Sequence, residues 1–405
     1  MTTPKAARAA ACPVTGVRSE QKTNPNPPHR GPAVTRDADG TYHVHAFDAA
    51  RELLRGEGTR QAGFGAELLG AAPTLQNDPV LFLEGEAHHQ MRRETARYFT
   101  PATVATYRRM MERLADDLVG ELVRTGTARL DDLSLRMAVQ VAARVVGLTH
   151  SHVPGLSARV ARFVQNDFTL PDAASSARAK LQAALNHAQI LAFFLLDVKP
   201  AIRARRREPG EDVISHLLAK NYQDLEILTE CITYATAGMV TTREFISVAA
   251  WHLMERPDLR REYLHGTERE RHGMLHEILR LEPVVAELRR RATRDLTVDG
   301  HRIPEGSLIV LHVHSANADE TTVGDAPLTL CPNRALPRGV PGPVMSFGDG
   351  HHRCPGAYVA IQEADILLRR LLWLRDLRVV TPPTVTWNGL IKGYELRNFM
   401  LAVGP

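Results

Sequence analysis

The sequence predicts a mainly helical protein with a smaller β portion, and three observations carry that expectation. Apolar residues recur at helical spacing from about residue 85 to 280, the period changes to alternation after about 285, and no internal repeat separates the two parts. At 405 residues with 44% apolar content, the chain is long enough to bury a substantial core around an enclosed ligand cavity.

Residues 1–38, rich in Pro, Ala, Asn and charge and carrying NPNPPHRGP, are expected as a flexible arm, with residues 39–405 as one domain. TYHVHAF alternates as a strand, and DAARELLR opens a helix on a cap at Asp48. DPVLFLEGEAHHQMRRETARYF is helical and ends at Thr100-Pro101, where ATVATYRRMMERLADDLVGELV and then LDDLSLRMAVQVAARVVGL continue the pattern. A long helix from about Leu225 to Glu255, stopped by Pro257, would span about 45 Å at the usual rise. It is apolar nearly all round from Ile232 to Val240, which predicts burial on every side. Beyond MLHEILRLEP, LTVDGHRIPEGSLIVLHVHSAN gives two strands about Asp299-Gly300 and a third after a Pro-Glu-Gly turn. Residues Pro327 to Pro343 read as irregular, and the tail as short strands.

Composition narrows the function classes. Fifty basic and 46 acidic residues leave a net charge of +4, so nothing points to a nucleic-acid partner. Cys12, Cys231, Cys331 and Cys354 form no CxxC pair, which argues against a disulfide scaffold or a zinc ribbon and favours a reduced, cytoplasmic setting. MTTPKAARAAACPVTG has no apolar signal core, and no uninterrupted apolar run reaches about 18 residues, so no membrane span is expected.

The stretch FGDGHHRCPGAYVA concentrates the chemistry. A lone cysteine is more often a small buried hydrophobe than a ligand. Here Cys354 sits between turn-forming glycines and a strong helical pattern, beside Arg353, His351 and His352, and a helix N-terminus favours a thiolate. A thiolate there could be a nucleophile with a histidine base, or the single axial ligand of a haem. Zinc and a phosphate loop fit less well, since adjacent histidines rarely reach one ion and the third glycine of GxGxxG is missing.

FGDGHHRCPG resembles the haem-binding loop of the cytochrome P450 family, F-G-x-G-x-[HR]-x-C-x-G, at every fixed position. The resemblance implies that Cys354 is the axial thiolate and metal ligand, that His352 meets a haem propionate, and that Phe347 packs near the sulfur beside Gly356. Ala357, Ala360 and Glu363 continue the family's pattern, with Ile361 replacing the usual Arg. In GEAHHQMRRETARYFTP, His88 and Arg92 lie one helical turn apart and can face one anionic group. By resemblance that group is a propionate, with Arg290 as a further partner. Glu277 and Arg280 of EILR, with Arg334 of CPNR, match a structural brace.

YATAGMVTTREF is similar to the family's oxygen-binding groove A-G-x-[DE]-T-T at Ala237, Gly238, Thr241 and Thr242. The Thr241 hydroxyl can bond the carbonyl four residues earlier and loosen the helix. Val240 occupies the slot of the usual acid, and Glu244 is the candidate substitute, either relaying protons or pairing with a neighbouring arginine. The resemblance spans about residues 40 to 400.

It implies the cytochrome P450 fold, haem b (iron protoporphyrin IX) as cofactor, O2 as co-substrate, and electrons from an external ferredoxin and ferredoxin reductase, with Arg109 and Arg353 available to an acidic partner. A monomer is expected. The substrate pocket would draw on Phe64, Leu68, Leu69, Asn166, Phe168, Met239, Val240, Val285, Glu287 and Leu288. That lining suits a medium-sized, mostly apolar organic molecule, a secondary metabolite or xenobiotic, to be hydroxylated or otherwise oxidised. The alternatives are phenolic or C–C coupling without oxygen insertion, and a non-catalytic haem sensor.

Overall fold

The computed structural model describes residues 19–24, 29–63, 76–164 and 176–404. Its helices follow the apolar spacing: α1 (Phe47–Arg55), α2 (Gly85–Thr95), α3 (Pro101–Thr125), α4 (Leu130–Val146), α5 (Leu156–Val164), α6 (Ala177–Phe193), α7 (Lys199–Arg207) and α8 (Val213–Ala219). They continue as α9 (Asp224–Tyr234), α10 (Thr241–Glu255), α11 (Pro257–His265), α12 (Glu268–Leu281), the short α13 (Val313–Asn317) and α14 (Glu320–Val323), and α15 (Ala357–Leu372). The Thr100-Pro101 restart is literal. Thr100 caps α3 by accepting from the Thr103 amide at 3.2 Å, Pro101 takes the first helical position, and Gly126 ends the helix at φ 74°.

The expected long helix is α9 and α10 joined through a wide π turn, Ala235–Val240, without a break in the chain direction. It packs against α4, whose buried face includes Leu130, Met137, Val141 and Val145. Two local expectations shift. Helix α1 starts on Ala46, leaving Asp48 in the first turn, and residues 78–84 are irregular chain ahead of α2.

The main sheet has five strands in the order β1 (Val34–Arg36), β2 (Tyr42–Val44), β8 (Leu308–His312), β5 (Glu287–Ala292), β3 (Thr59–Gln61). Only the β2–β8 pair is parallel. Strands β6 (Leu296–Val298) and β7 (His301–Ile303) make the hairpin about Asp299-Gly300, both at positive φ. Strand β4 (Thr127–Arg129) pairs with the tail strand β12 (Met400–Ala402), which also pairs with β9 (Arg378–Thr381). Strands β10 (Thr384–Asn388) and β11 (Gly393–Arg397) form a second tail hairpin.

Parts of the expected arm belong to this body. Strand β1 lies inside it, and the amides of Lys22 and Thr23 donate to the Glu282 carboxylate at 2.6 and 3.1 Å. Low hydrophobicity hid these anchors, because they are backbone hydrogen bonds to a distant carboxylate. Cys331 is disulfide-bonded, while Cys231 and Cys354 are free. Linear spacing does not constrain pairs that tertiary structure brings together. Among the described residues, the helical run Arg178–Arg207 is long and apolar enough to cross a membrane by length and composition alone. Its C-terminal half is packed into the helical body, where buried Asp197 pairs with Arg159 at 2.6 Å and Ala201 and Ile202 are enclosed.

Candidate active site

Cys354 stands at the start of α15, on a loop fixed from three sides. Its amide donates to the Phe347 carbonyl at 2.9 Å, closing the turn. Gly350 has φ 65°, and a Cβ there would fall 1.9 Å from the Leu54 carbonyl oxygen, so only glycine lets the loop lie against α1. The Asp349 carboxylate accepts from Arg55 at 3.0 Å and from the Gly350 amide at 2.7 Å, with Arg51 3.3 Å away. Asn317 accepts from the Met345 amide at 2.7 Å and donates to Ser346 at 2.8 Å, pinning the chain that enters the loop.

Beneath it, the expected brace is assembled. Arg280 donates to both Glu277 oxygens at 2.7 and 2.8 Å, and Arg334 donates to Glu277 at 2.9 Å. The remaining donors of both arginines reach backbone carbonyls between 317 and 329, so the buried charges are satisfied.

The Gly356 and Ala357 amides and the charges of Arg92 and Arg353 favour the Cys354 thiolate, but enclosure by protein outweighs them and pushes the thiol up. The helix start alone therefore does not make the thiolate expected from sequence; a coordinated metal would. Gly356 itself has φ −83°, and a Cβ there would lie 3.9 Å from the sulfur, an ordinary contact.

Above the sulfur opens a cavity of about 260 Å³. His88, Arg92, Arg290 and His352, drawn from α2, β5 and the loop, all line it together with Phe347, Cys354 and Gly356. Arg290 is buried, and its partners are the Gln61 side chain and the Arg289 carbonyl, so burial lowers its pKa to about 10. Burial also lowers Arg92, whose guanidinium reaches the Arg353 carbonyl. Neither guanidinium forms an ion pair with a carboxylate among the described residues. One buried and one half-buried cation facing one cavity call for an anionic ligand. His88 stacks on His352 with centroids 4.0 Å apart, and burial together with the charges of His352 and Arg92 lowers it to about 3. It therefore offers a neutral ring. Gln61 and Glu84, which bonds His352 at 3.1 Å and the Gln61 amide at 2.8 Å, were not singled out from sequence, since no local pattern marks them.

The facing wall is the long helix. Thr233, Ala237, Thr241 and Phe245 line the cavity, as do Tyr234, Gly238 and Thr242. The Thr241 hydroxyl donates to the Ala237 carbonyl at 2.6 Å, as its position predicts. Among the described residues, no atom outside the helix's own neighbouring chain lies within 4 Å of where a Gly238 Cβ would be, leaving that side open.

The wide turn holds more than the usual ~3.6 residues, so residues four apart stay on the cavity side while Met239 and Val240 turn into the core. Those two do not line the pocket. Nor does Glu244, which is fully buried in a different contact: it pairs with Arg243 at 2.6 Å and Arg397 at 2.8 Å and accepts from the Leu396 amide at 2.7 Å. Saturated by β11, it is an anchor and not a relay. Thr242 instead neighbours the buried Glu363 carboxyl, which burial pushes well above the usual carboxylate range although the threonine hydroxyl opposes the shift.

Of the remaining pocket expectations, Val285 and Leu288 line the cavity. Glu287 does not, because strand alternation turns it away to pair with Arg289 at 2.9 Å. Phe64, Leu68, Leu69, Asn166 and Phe168 lie outside the described residues. Val80, Leu81 and Phe99 add apolar wall that the sequence did not flag.

Comparison with known proteins agrees with this geometry. The sequence model of the cytochrome P450 family matches residues 272–388, which include the brace and the cysteine loop. The chain is 29% identical to a biotin biosynthesis cytochrome P450 of Bacillus subtilis, over 74% of this chain and 73% of that one. It is 27% identical to nocardicin C N-oxygenase of Nocardia uniformis, over 88% and 85%. The crystal structure of CalO2 superposes with a TM-score of 0.77 at 23% identity, covering 93% of this chain and 94% of that one. A matching family model over the cysteine loop, related sequences over most of the length and a shared fold place the chain in the cytochrome P450 family, as an enzyme of its monooxygenase class.

Proposed function

We propose that this chain is a haem-thiolate monooxygenase, its cofactor haem b and its electrons supplied by an external ferredoxin and ferredoxin reductase. Its substrate is a medium-sized, mostly apolar organic molecule of the kind tailored in secondary metabolism, and residues 39–405 act as one cytoplasmic catalytic domain. One observation carries the reading: the Cys354 sulfur, two guanidinium groups without carboxylate partners and the threonine wall all border the same cavity. When bound, the haem supplies reductive activation of O2, one oxygen atom entering the substrate and the other leaving as water. Cys354 Sγ is the iron ligand, and Arg92 and Arg290 take the propionates with hydrogen bonds from His88 and His352. The open side of Gly238 leaves room beside the helix. Thr241 holds its hydroxyl at the cavity. The acid missing at Val240 is replaced by Glu363, kept protonated by burial and linked to the cavity through Thr242. The exposed Arg109 and Arg353 suit an acidic electron donor.

Oxidation without oxygen insertion is the second reading, favoured by Val240 and by the engagement of Glu244 elsewhere. Compounds that change the spin state of the purified protein, incubated with ferredoxin, reductase, NADPH and oxygen-18 gas, separate the two. The proposal predicts a product carrying one labelled oxygen. An unlabelled coupled product would establish the second reading, and the absence of any product from every such compound would leave a sensor.

A further inference from the structure

The cavity has a roof whose attachment is unusual. The segment Gln76–Leu83 carries Val80 and Leu81 onto the cavity, and its backbone is moored to α9 by two carboxylates one helical turn apart. Glu226 accepts from the amides of Gln76 and Asn77 at 3.0 and 2.8 Å and from the Asn77 side chain at 3.1 Å. Its other oxygen takes the Gln223 amide at 2.7 Å, closing the capping box of α9. Glu230 accepts from the Val80 amide at 2.7 Å. Only 2% of Glu230 is exposed, and its second oxygen has no hydrogen-bond partner among the described residues. The same helix continues directly into the cavity wall at Thr233 and Tyr234.

We infer that Glu226 and Glu230 latch the Gln76–Leu83 segment over the cavity, with Glu230 a positioning residue that holds Val80 and Leu81 against the occupant. This rests on reading that cavity as the substrate pocket. Glu226, with its four bonds, is a permanent anchor, and several amide donors stabilise its charge. Glu230 has one donor and a dry second oxygen, so its ionised form is poorly accommodated while the segment is down. A neutral carboxyl keeps the carbonyl acceptor for Val80 and loses that penalty.

The latch is therefore coupled to pH. Burial raises Glu230 to about 7 from an ordinary 4.5. Lifting the segment would hydrate the carboxyl and return it toward the ordinary value. The latched arrangement thus binds a proton more tightly than the lifted one. It gains as pH falls from about 7 toward 4.5, and it is weakest, and flat, above 7. The titratable groups facing Glu230 do not reverse this sign. Cys231 and Tyr234 on its own helix and Tyr222 ahead of it are all pushed up and stay neutral, and Tyr222 also senses Glu226, Glu94 and Asp78.

Amide hydrogen exchange at Val80 in the haem-loaded protein tests this without any turnover. After correction for intrinsic exchange, protection should rise about tenfold between pH 7.5 and 5.5. Glu230→Gln, which keeps the acceptor and cannot ionise, should stay protected and pH-independent, whereas Glu230→Ala should exchange fast at both values. The Leu396 amide, held by Glu244, serves as a control with no step. A flat profile in the wild type, or a pH step that survives Glu230→Gln, would overturn the latch. Either result leaves the haem-thiolate reading untouched, because that is judged by the iron spectrum.

Discussion

The cavity has a floor and a wall built on opposite plans. On the floor, the chain from Met345 to Gly356 is held by hydrogen bonds to α1, α12 and α13, and every residue expected there faces the cavity. On the wall, a single helix widens at Ala235–Val240, and only part of the expected set faces inward. Ala237, Gly238 and Thr241 do, while Met239, Val240 and Glu244 turn into protein. A ligand atom must stay at one point, and the floor fixes it. The wall must leave space, and a helix with a loosened ladder and a glycine provides it.

The contrast predicts that mutations below the sulfur cost stability and mutations on the wall cost coupling. The largest effect is expected for Glu277→Ala, which strands Arg280 and Arg334 in the core. Removing one partner of a buried ion pair costs about 3–5 kcal/mol, and the readout is thermal unfolding and haem retention. Wild-type stability in that variant would show that the loop needs no brace.

Glu244→Gln comes next, at less than the ~3–5 kcal/mol of a wholly broken buried pair, since Arg243 and Arg397 lose this charge but keep Glu395 as a partner. Product formed per NAD(P)H should be unchanged in the molecules that remain folded. A loss of coupling at full stability would return Glu244 to the wall as a proton carrier. Thr241→Val should be the mildest for folding, within about 1 kcal/mol for one hydrogen bond. It should still lower product per NAD(P)H by about a hundredfold, the lower end for one proton-handling group. Unchanged coupling would mean that the hydroxyl only bends the helix.

The same contrast explains what was legible in the sequence. The cysteine loop could be read because its geometry is local: glycines, cap and sulfur fall within ten residues. His88 and Arg92 were legible as a one-turn pair, and Arg280 with Glu277 as another. The fate of Glu244 was not, because its partners Leu396 and Arg397 lie 152 and 153 residues away in a tail strand. The π turn was equally hidden, since the apolar pattern of Ile232 to Val240 is satisfied by either helical pitch. Gln61, Glu84 and the Glu230–Val80 bond share that long-range character. Alternation along β5 puts Leu288 and Arg290 on the pocket and turns Glu287 away, in a register set by pairing with β8, whereas Val285 reaches the pocket from the chain ahead of the strand.

The central claim is that Cys354 holds haem iron at the floor of this cavity. Its most direct test is the absorption spectrum of the dithionite-reduced, carbon monoxide-bound protein. The account predicts the strongly red-shifted Soret band of a thiolate ligand in the wild type and its loss in Cys354→Ala. The same band persisting in Cys354→Ala would contradict it.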